Sequence, residues 1–411
     1  MSGGAPIGRL LGRLAGADAV RPGRAADRVA GRAAGWVVRP RSADDLAAVL
    51  AAADERGWGV VPRGGGTRMA WGAPPTRCDV VLETGGLDQI LEHVPGDHVA
   101  VVGAGASLAL LAGRLRASGG PPQRLMLDPP GGEGTTVGGV AAAAAAGPRR
   151  HRHGTPRDLV LGARFVLADG TTARSGGKVV KNVAGYDLAK LLVGSRGTLA
   201  VLVELSLKLH PEPEAAVTVV VDGTAPGDLA GLAPAVRRQP VELAAAEFLW
   251  PERRVALRVE GSPEVAAAEA GAVARAVAGR ALAPAAAKRL WEAVGRRPWD
   301  GPGAIVAVAL PADRVGALVE MVGPLAIRAT LTVGLGTGTV RLPDEPSHLE
   351  RLRERTEALG GTCRPLRVDP ARSALAASRP DPAVLRLMAE LRHQFDPRAT
   401  LSPGRLGWGL P

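Results

Sequence analysis

The chain has 411 residues, enough for two domains of ordinary size, and 46% of its residues are hydrophobic, yet no uncharged apolar run approaches the roughly 20 residues of a membrane helix. Its two cysteines, Cys78 and Cys363, lie too far apart to indicate a disulfide framework or a thiolate metal site, so we expect a protein of the reducing cytoplasm. The net charge of +11 comes mainly from dispersed arginines without interleaved aromatic residues, which argues against a nucleic-acid partner.

Residues 1–33 are predicted to be a lead-in to the first domain. Arginines are scattered through this segment, and it contains no continuous apolar stretch followed by a cleavage site. We therefore expect a mildly amphipathic, unprocessed N-terminus rather than a secretory signal.

The first regular elements form a predicted β-α-β unit. Val37 to Arg39 is a short strand, Ser42 is a suitable N-cap for an Ala/Leu-rich helix that ends near Gly57, and residues 59–61 return as a strand. Gly64, Gly65 and Gly66 follow that second strand, where ligands commonly bind in such units. Further strands are predicted in residues 78–84 and 98–105, and a helix is predicted from Ser107 through Ala117.

From Leu159 the sequence pattern alternates strands with turns. Asp169-Gly170 is a hairpin turn signal, residues 198–211 read as a strand, and Pro211 and Pro213 close the domain. Beyond residue 215 we predict strands, a long Ala-rich helix from about Pro263, further strands with helices, and a terminal helix with an irregular tail. The predicted division is a lead-in (1–33), a first domain (34–213) and a smaller α+β cap domain with the tail (214–411).

Three glycine-rich segments lie in the first domain. Main-chain N–H groups in a tight glycine turn can bind an anion, although residues 62–67 alone, "PRGGGT", fit an ordinary strand-exit turn equally well. Residues 128–147 add the hydroxyls of Thr135 and Thr136 before six alanines, which are either low-complexity sequence or a surface for close packing. The third segment, residues 175–202, contains Gly176, Gly177, Gly185, Gly194 and Gly197. Three such segments in one domain predict an extended nucleotide ligand.

Several nucleotide and metal motifs are absent. Residues 101–108 begin like GxGxxG, but Leu108 stands where the third glycine belongs, and no GxxxxGK[ST] phosphate loop occurs. A Rossmann site, an ATPase and a GTPase are therefore not predicted. His151 and His153 lack nearby ligand-type residues, so we expect a solvated loop there and no metal site.

Taken together, these segments resemble the vanillyl-alcohol-oxidase (PCMH-type) family of FAD-binding flavoproteins over Trp36 to Pro211. The similarity rests on "VVPRGGGT", "EGTTVGG", "GTPRDLVLGARFVLADG" and "KNVAGYDLAKLLVGSRGTLAVL". The "KNVAGYDL" segment, the short second domain and the terminal "FDPRATLSPGRL" are similar to the FAD-binding (E) subunits of bacterial glycolate oxidases. The resemblance implies an α+β fold, in which a PCMH-type domain of two α+β subdomains precedes a smaller α+β cap.

The resemblance also implies the cofactor and its contacts. FAD would be noncovalent, because Thr67 stands where some relatives carry a flavin-linked histidine. Main-chain amides of the 63–67 loop would hold the pyrophosphate, residues 135–139 would line the phosphates and flavin, and residues 158–160 and 197–202 would approach the adenine half. The implied cofactor-binding residues are Arg63, Gly64, Gly65, Gly66, Thr67, Thr135, Thr136, Gly138, Gly139, Asp158, Val160, Gly197, Thr198, Val201 and Leu202.

The chain also departs from the family pattern. Ala144 replaces a common asparagine, Arg196 a frequent acidic residue and Ala200 a usual glycine. The His-rich metal and base motif of larger relatives that oxidise 2-hydroxy acids has no counterpart. The remaining histidines considered for it are isolated: His210, His348 and His393.

The resemblance implies an FAD-dependent oxidoreductase acting on CH–OH groups. We expect a subunit that supports oxidation of glycolate, a small 2-hydroxy acid, to glyoxylate beside a catalytic FAD subunit and an iron–sulfur subunit, with peripheral membrane association through that complex. The alternatives are a stand-alone FAD dehydrogenase of D-lactate, another hydroxy acid or a sugar lactone, and a non-catalytic scaffold. An arginine would suit the substrate carboxylate, with Arg258, Arg328 and Arg405 as candidates; no catalytic base is identified.

Overall fold

The computed structural model describes residues 4–179, 185–296, 299–372 and 377–410. Residues 181–184, within the "KNVAGYDL" segment, lie outside the described residues. Strands of the described chain form sheets of four, five, two and eight strands. Helices and strands occur together throughout, which confirms the predicted α+β architecture.

The first subdomain is built on the four-stranded sheet. Its elements are α1 Gly4–Ala15, β1 Val20–Pro22, β2 Trp36–Val38, α2 Ala43–Glu55, β3 Val60–Arg63 and β4 Val80–Glu83. The strand order is β1-β2-β4-β3, and β2 and β3 both run parallel to β4. Ser42 Oγ accepts a hydrogen bond from Asp45 N at 3.0 Å, which confirms the predicted N-cap.

The predicted lead-in is part of this first subdomain. Leu11 of α1 is fully buried and packs in one cluster with Leu46 and Leu50 of α2. β1 extends the sheet by pairing with β2. The N-terminal segment therefore contributes core residues, because one apolar face of α1 covers α2.

The second subdomain is built on the five-stranded antiparallel sheet of order β5-β6-β10-β8-β9. The Asp169-Gly170 turn joins β8 to β9 as predicted, and Gly170 takes a φ of +87° that favours glycine. Its elements are β5 Ile90–Val94, β6 Val99–Gly103, α3 Leu108–Ala117, β7 Gln123–Arg124, α4 Val137–Ala143, α5 Arg150–His153, α6 Pro156–Leu159, β8 Val160–Val166, β9 Thr172–Gly176, α7 Leu188–Leu192, β10 Val201–Lys208 and β11 His210–Pro211.

The remaining strands form an eight-stranded antiparallel sheet. Its order is β15-β12-β14-β13-β17-β18-β16-β19. The predicted Ala-rich helix from Pro263 ends at Ala276, and a separate helix begins at Pro284 because proline favours a helix start. The elements are β12 Ala215–Val221, α8 Leu229–Arg237, β13 Leu243–Trp250, β14 Arg254–Gly261, α9 Pro263–Ala276, β15 Arg280–Ala281, α10 Pro284–Arg296, β16 Ala304–Ala309, α11 Val315–Val322, β17 Arg328–Thr332, β18 Thr337–Leu342, α12 Pro346–Ala358, β19 Thr362–Arg367 and α13 Pro382–Phe395.

The two faces of the eight-stranded sheet differ. One face carries Phe248, Leu257 and Leu331, which pack with Leu318 of α11 and Leu349 of α12 in the largest hydrophobic cluster described. Because side chains alternate along a strand, the intervening residues lie on the other face. That second face has a more polar composition and is turned toward the first two subdomains.

The C-terminal tail packs against the first two subdomains, although the sequence predicts it as part of the cap domain. Arg392 of α13 is fully buried and donates hydrogen bonds to the carbonyls of Thr198 and Leu401. Val60 of β3 donates to the carbonyl of Thr400 at 2.8 Å. The tail therefore supports the strand that precedes the glycine-rich loop.

Candidate cofactor site

A cleft lies between the first and second subdomains. Three parts of the chain form its walls: the loop after β3, the α4 region and the segment that leads into β10. Of the residues implied as cofactor contacts, those that line the cleft are Arg63, Gly64, Gly65, Gly66, Thr67, Thr136, Gly138, Gly139, Gly197, Val201 and Leu202. The structure thus brings the first glycine-rich loop to the same cleft as parts of the other two segments.

The glycines of the first loop are required by close packing. A Cβ on Gly64 would overlap Thr136 Oγ1, and a Cβ on Gly65 would overlap the carbonyl oxygen of Gly134. Across the cleft, a Cβ on Gly138 would lie 2.7 Å from Ala104 Cβ. The two glycine-rich segments can approach each other only because they lack side chains, and a ligand between them meets bare main chain.

The loop also presents main-chain N–H groups that are free to donate hydrogen bonds to a ligand. Within the described chain, the main-chain N–H groups of Gly65, Gly66 and Thr67 donate no hydrogen bond to another residue. Successive unpaired N–H groups in a tight turn form a concave site for anionic oxygens. The loop therefore fits the phosphates of a nucleotide cofactor, as the sequence predicts.

Arg63 fixes the start of the loop through its side chain. The guanidinium pairs with Asp27 Oδ1 at 2.8 Å and also with Glu83. Hydrogen bonds from Arg21 and Arg63 hold the pKa of Asp27 well below its usual range. Because these carboxylates occupy the Arg63 side chain, only its main chain is available to a ligand.

Four of the implied contact residues do not line the cleft. Thr135 lies behind it, with a buried Oγ1 that has no hydrogen-bond partner among the described residues. Thr198 Oγ1 donates to the carbonyl of Ser195 at 2.7 Å. Asp158 is exposed and accepts from Thr155 N at 2.7 Å, which caps α6, and Val160 is buried in the core of the second subdomain. Their roles as cofactor contacts stay predictions.

The departures from the family pattern lie at or beside the cleft. Arg196 and Ala200 line it directly. Ala144 ends α4 with a φ of +47°, and Arg196 has a φ of +56°. Of the six alanines, Ala142 and Ala143 line the cleft, where small side chains leave room for a ligand.

The sequence did not predict Trp71 or Arg68 in the cleft, nor the contacts that Arg405 makes there. Trp71 lines the cleft and stacks on Trp299 with ring centroids 5.2 Å apart, and the Arg68 guanidinium lies 5.4 Å from the Trp71 ring. Arg405 of the tail donates to the carbonyls of Ala73 and Met69 at 2.9 and 3.2 Å. The stacking of Trp71 on Trp299 and the bonds from Arg405 join residues more than 200 positions apart, so no local sequence pattern indicates them.

Desolvation lowers the pKa of Arg68, Arg196 and Arg405 in the cleft. The pKa falls to about 10 for Arg68 and for Arg405, and to about 9 for Arg196. For Arg196, burial is the largest cause, and the positive charges of Arg364 and Arg405 add to it. The cleft therefore carries positive charge in a poorly solvated place.

The three predicted carboxylate-binding arginines have different environments. Arg258 forms an ion pair with Glu260 at 2.7 Å, so it is already neutralised. Arg328 pairs in register with Arg341 across β17 and β18. Arg405 lines the cleft, but the two main-chain carbonyls near Trp71 occupy its guanidinium. The geometry favours a structural role for Arg258 and Arg405.

A buried acid lies on the polar face of the eight-stranded sheet. Glu247 is 1% exposed, accepts a hydrogen bond from Thr332 Oγ1 at 2.9 Å and has an Oε2 without a hydrogen-bond partner among the described residues. Burial raises its pKa to about 7, against the attraction of Arg150. Glu247 is thus poised to change charge near neutral pH.

The histidine predictions need a correction. His153 and His210 are half-buried and pack edge to face, with ring centroids 4.8 Å apart, so His153 is not in a solvated loop and His210 is not isolated. Burial lowers the pKa of each ring to about 4, which keeps both neutral. Within the described ranges, no three His, Cys, Asp or Glu residues come together in a group that could hold a metal ion.

The helices that the structure describes include none with the length and apolar character needed to cross a membrane.

The sequence comparisons agree with the geometry of the cleft. Residues 34–176 match a family profile described as an FAD binding domain. The glycolate oxidase subunit GlcD of Bacillus subtilis is 37% identical over 184 residues, which cover 45% of this chain and 38% of that protein. A D-lactate dehydrogenase of Archaeoglobus fulgidus is 37% identical over 178 residues, or 43% of this chain and 39% of that protein. These matches span about two fifths of the length of the curated relatives.

A shorter match has higher identity. The glycolate oxidase subunit GlcE of Escherichia coli is 52% identical over 73 residues, covering 18% of this chain and 21% of that subunit.

Solved structures share the fold over nearly the whole chain. p-Cresol methylhydroxylase with bound substrate superposes with a TM-score of 0.78 at 16% identity, covering 99% of this chain and 97% of that one. A 4-ethylphenol oxidase from Gulosibacter chungangensis gives a TM-score of 0.72 at 17% identity, with coverage of 98% and 97%. The predicted fold class and cofactor are confirmed: residues 34–176 match an FAD binding domain, the chain has the fold of p-cresol methylhydroxylase, and FAD is its cofactor.

Proposed function

We propose that this chain is an FAD-dependent oxidoreductase that acts on the CH–OH group of a small 2-hydroxy acid, as the FAD-binding subunit of a glycolate oxidase assembly. The observation that carries the proposal is the cleft, where bare glycine main chain faces a cluster of poorly solvated arginines. The similarity to GlcD, GlcE and the D-lactate dehydrogenase supports this substrate class.

The residues that line the cleft suit the binding and orientation of FAD and of the substrate. FAD, when bound, supplies the two-electron acceptor for the hydride that leaves the α-carbon of the hydroxy acid. The 64–67 loop and Thr136 would hold the phosphates through main-chain and hydroxyl donors. The cleft arginines would attract the substrate carboxylate, since guanidinium groups bind carboxylates strongly.

The same proposal includes noncovalent FAD and partner subunits. Thr67 has no side-chain nitrogen that could bond to the flavin, so denaturation should release all FAD from the protein. The chain has no His-rich motif in its sequence, and a catalytic FAD subunit and an iron–sulfur subunit would complete the reaction and accept the electrons. Its attachment to a membrane would be peripheral, through that complex.

Purification of the full chain with and without coexpressed partners tests the proposal. We expect a flavin spectrum, release of FAD by acid precipitation, copurification with a second flavoprotein and an iron–sulfur protein, and flavin bleaching by glycolate in the complex. Protein that binds no FAD on reconstitution would favour a scaffold role. If neither partner copurifies with the chain, this result would count against the assembly.

A stand-alone dehydrogenase is the second candidate, because the similarity to the D-lactate dehydrogenase covers the same part of the chain. It requires that the isolated chain reduce an artificial electron acceptor with D-lactate, another hydroxy acid or a sugar lactone. Anaerobic bleaching of the isolated holoprotein by D-lactate would favour this candidate over the subunit.

A further inference from the structure

Four arginines gather where the cleft meets the polar face of the eight-stranded sheet: Arg68, Arg196, Arg364 and Arg405. Arg68, Arg196 and Arg405 line the cleft, and Arg364 lies on β19. The ion pairs found within the described ranges include none of the four. Clustered cations without a carboxylate partner are costly in a poorly solvated place.

The packing around Arg364 places it on the side of the sheet that faces the cleft. Its register partner in β16 is Ala307. Ala307 packs, with Ile305, in the hydrophobic cluster that also contains Trp71 and Ala143 of the cleft wall. Because cross-strand partners share a face, Arg364 points to the same side as this junction.

Two of the four arginines already donate hydrogen bonds to other residues. Arg405 donates to the carbonyls of Ala73 and Met69. Arg68 donates to Thr67 Oγ1 and to the carbonyl of Pro130. These bonds hold the loop between the glycine-rich segment and the tail in place.

Arg196 and Arg364 keep most of their donors free. Arg196 makes a single long hydrogen bond, 3.4 Å from Nη1 to the carbonyl of Arg405, and Arg364 donates none to the other described residues. Gly72 leaves room for the Arg196 guanidinium, because a Cβ there would overlap Arg196 Nη1. The positive charge of Arg364 is one of the causes that lower the pKa of Arg196, after burial.

We propose that Arg196 and Arg364, one from the FAD-binding domain and one from the eight-stranded sheet, together bind the carboxylate of a small acid. The inference deepens the proposed function and rests on it for the nature of the acid. A carboxylate between the two groups would offer two oxygens to paired N–H donors and remove their mutual repulsion. The stacked Trp71 and Trp299 beside them leave an apolar boundary that favours a short acid.

The pyrophosphate of FAD is the other anion that could reach the cleft. The 65–67 loop already offers three unpaired N–H groups for phosphate oxygens. Arg364 belongs to another part of the chain, β19, next to Ala307, which packs with Trp71 and Ala143 of the cleft wall. The two anions therefore have separate sets of donors in this site.

Oxalate tests the site, because it is a small carboxylate that cannot be oxidised as an alcohol. The full chain carrying FAD would be titrated with oxalate by calorimetry and by flavin absorbance, as wild type, Arg196→Gln, Arg364→Gln and Arg364→Lys. We expect each glutamine variant to bind oxalate about 10- to 100-fold more weakly, with unchanged FAD content. Arg364→Lys should recover part of the affinity, because it keeps the charge and loses the planar fork.

Arg254→Gln is a matched control. It removes one positive charge from the same sheet at a site where Arg254 pairs with Asp222 at 2.5 Å, and it should leave oxalate binding unchanged. Thermal unfolding without oxalate gives a second readout. Both Arg196→Gln and Arg364→Gln should be at least as stable as wild type, since each removes a charge that lacks a partner.

Wild-type affinity for oxalate in both glutamine variants would overturn the inference, and so would a wild-type protein that binds no oxalate. Loss of FAD from the variants, with normal oxalate binding after reconstitution, would assign the arginines to the cofactor phosphates and also overturn it. Oxalate binding that depends on both arginines, in a protein whose flavin no hydroxy acid reduces, would sustain the inference while the proposed function fails. Flavin reduction by glycolate with the same KM in wild type and in both glutamine variants would support the proposed function and overturn the inference.

Discussion

The two sides of the cleft are built by different means. On the FAD-binding side, the wall is main chain, with Gly64 and Gly65 packed so closely against the second glycine-rich segment that no side chain fits. On the side of the eight-stranded sheet, the polar groups are side chains such as Arg364 and Glu247, each placed by the pairing of its own strand with a strand distant in sequence. A backbone wall depends on local sequence, whereas the opposite wall depends on the register of the sheet.

Gly65→Ala should break the backbone wall and have the largest effect. The new Cβ would overlap the carbonyl oxygen of Gly134, so the loop must move and its N–H groups lose their arrangement. We expect purified Gly65→Ala to retain little or no FAD, measured as the flavin-to-protein absorbance ratio.

Gly113→Ala is the control for this change. Gly113 is exposed in α3 and has no atom near the position of a Cβ, so alanine should keep FAD and stabilise the helix by about 0.5–1 kcal/mol. A Gly65→Ala protein with a full complement of FAD would show that the close packing of the loop is not needed for cofactor binding.

Arg392→Ala tests whether the tail supports the backbone wall. The guanidinium is fully buried, lies 3.2 Å from Asp396 and donates to the carbonyl of Leu401 at 2.7 Å. Removing it leaves the buried Asp396 carboxylate without its counter-ion and two buried carbonyls without this donor, so we expect the free energy of unfolding to fall by about 3–5 kcal/mol in denaturant titrations.

Arg386→Ala on the same helix should change stability by less than about 0.5 kcal/mol, because Arg386 is exposed. Equal stability of the two variants would mean that the tail is not anchored through Arg392.

Glu247→Gln probes the polar face of the eight-stranded sheet through the pH dependence of protein stability. Burial raises the pKa of Glu247 from 4.5 to about 7, so between these values the unfolded chain releases a proton that the folded chain keeps. Wild-type stability should therefore fall as pH rises through this window and lose nothing more above it. The glutamine variant lacks this loss, and we expect it to be more stable by up to about 3 kcal/mol near pH 8, with little difference near pH 5.

Denaturant unfolding at both pH values measures this effect. Glu242→Gln is the control, since Glu242 is exposed and pairs with Arg152 at the surface, where such a pair contributes little. A Glu247→Gln protein that is less stable than wild type near pH 8 would show that Glu247 is ionised and well paired in the folded state.

The sequence predicts the main-chain wall of the FAD-binding side far better than the side chains that long-range packing brings to the cleft region. The N-cap at Ser42 and the turn at Asp169-Gly170 have local signals, and the glycine-rich loop, predicted from the strand that precedes it, lines the cleft. Arg405 reaches Ala73 from more than 300 positions away, and Arg364 faces the cleft only through its register with Ala307. Long-range packing of this kind has no periodicity along the chain, and neither does the docking of α1 on α2.

Asp158→Ala separates a structural role from the cofactor contact that the family resemblance implies. Asp158 Oδ2 accepts hydrogen bonds from Thr155 N at 2.7 Å and from Thr155 Oγ1 at 2.9 Å, and the residue does not line the cleft. If Asp158 serves only as this cap, the variant should lose about 1 kcal/mol of stability and bind FAD as tightly as wild type. Asp169→Ala, which removes a similar bond to Thr171 N at 2.8 Å in the hairpin turn, is the matched control. A fall in FAD affinity of tenfold or more in Asp158→Ala alone, measured by titrating apoprotein with FAD, would extend the cofactor site beyond the cleft to α6.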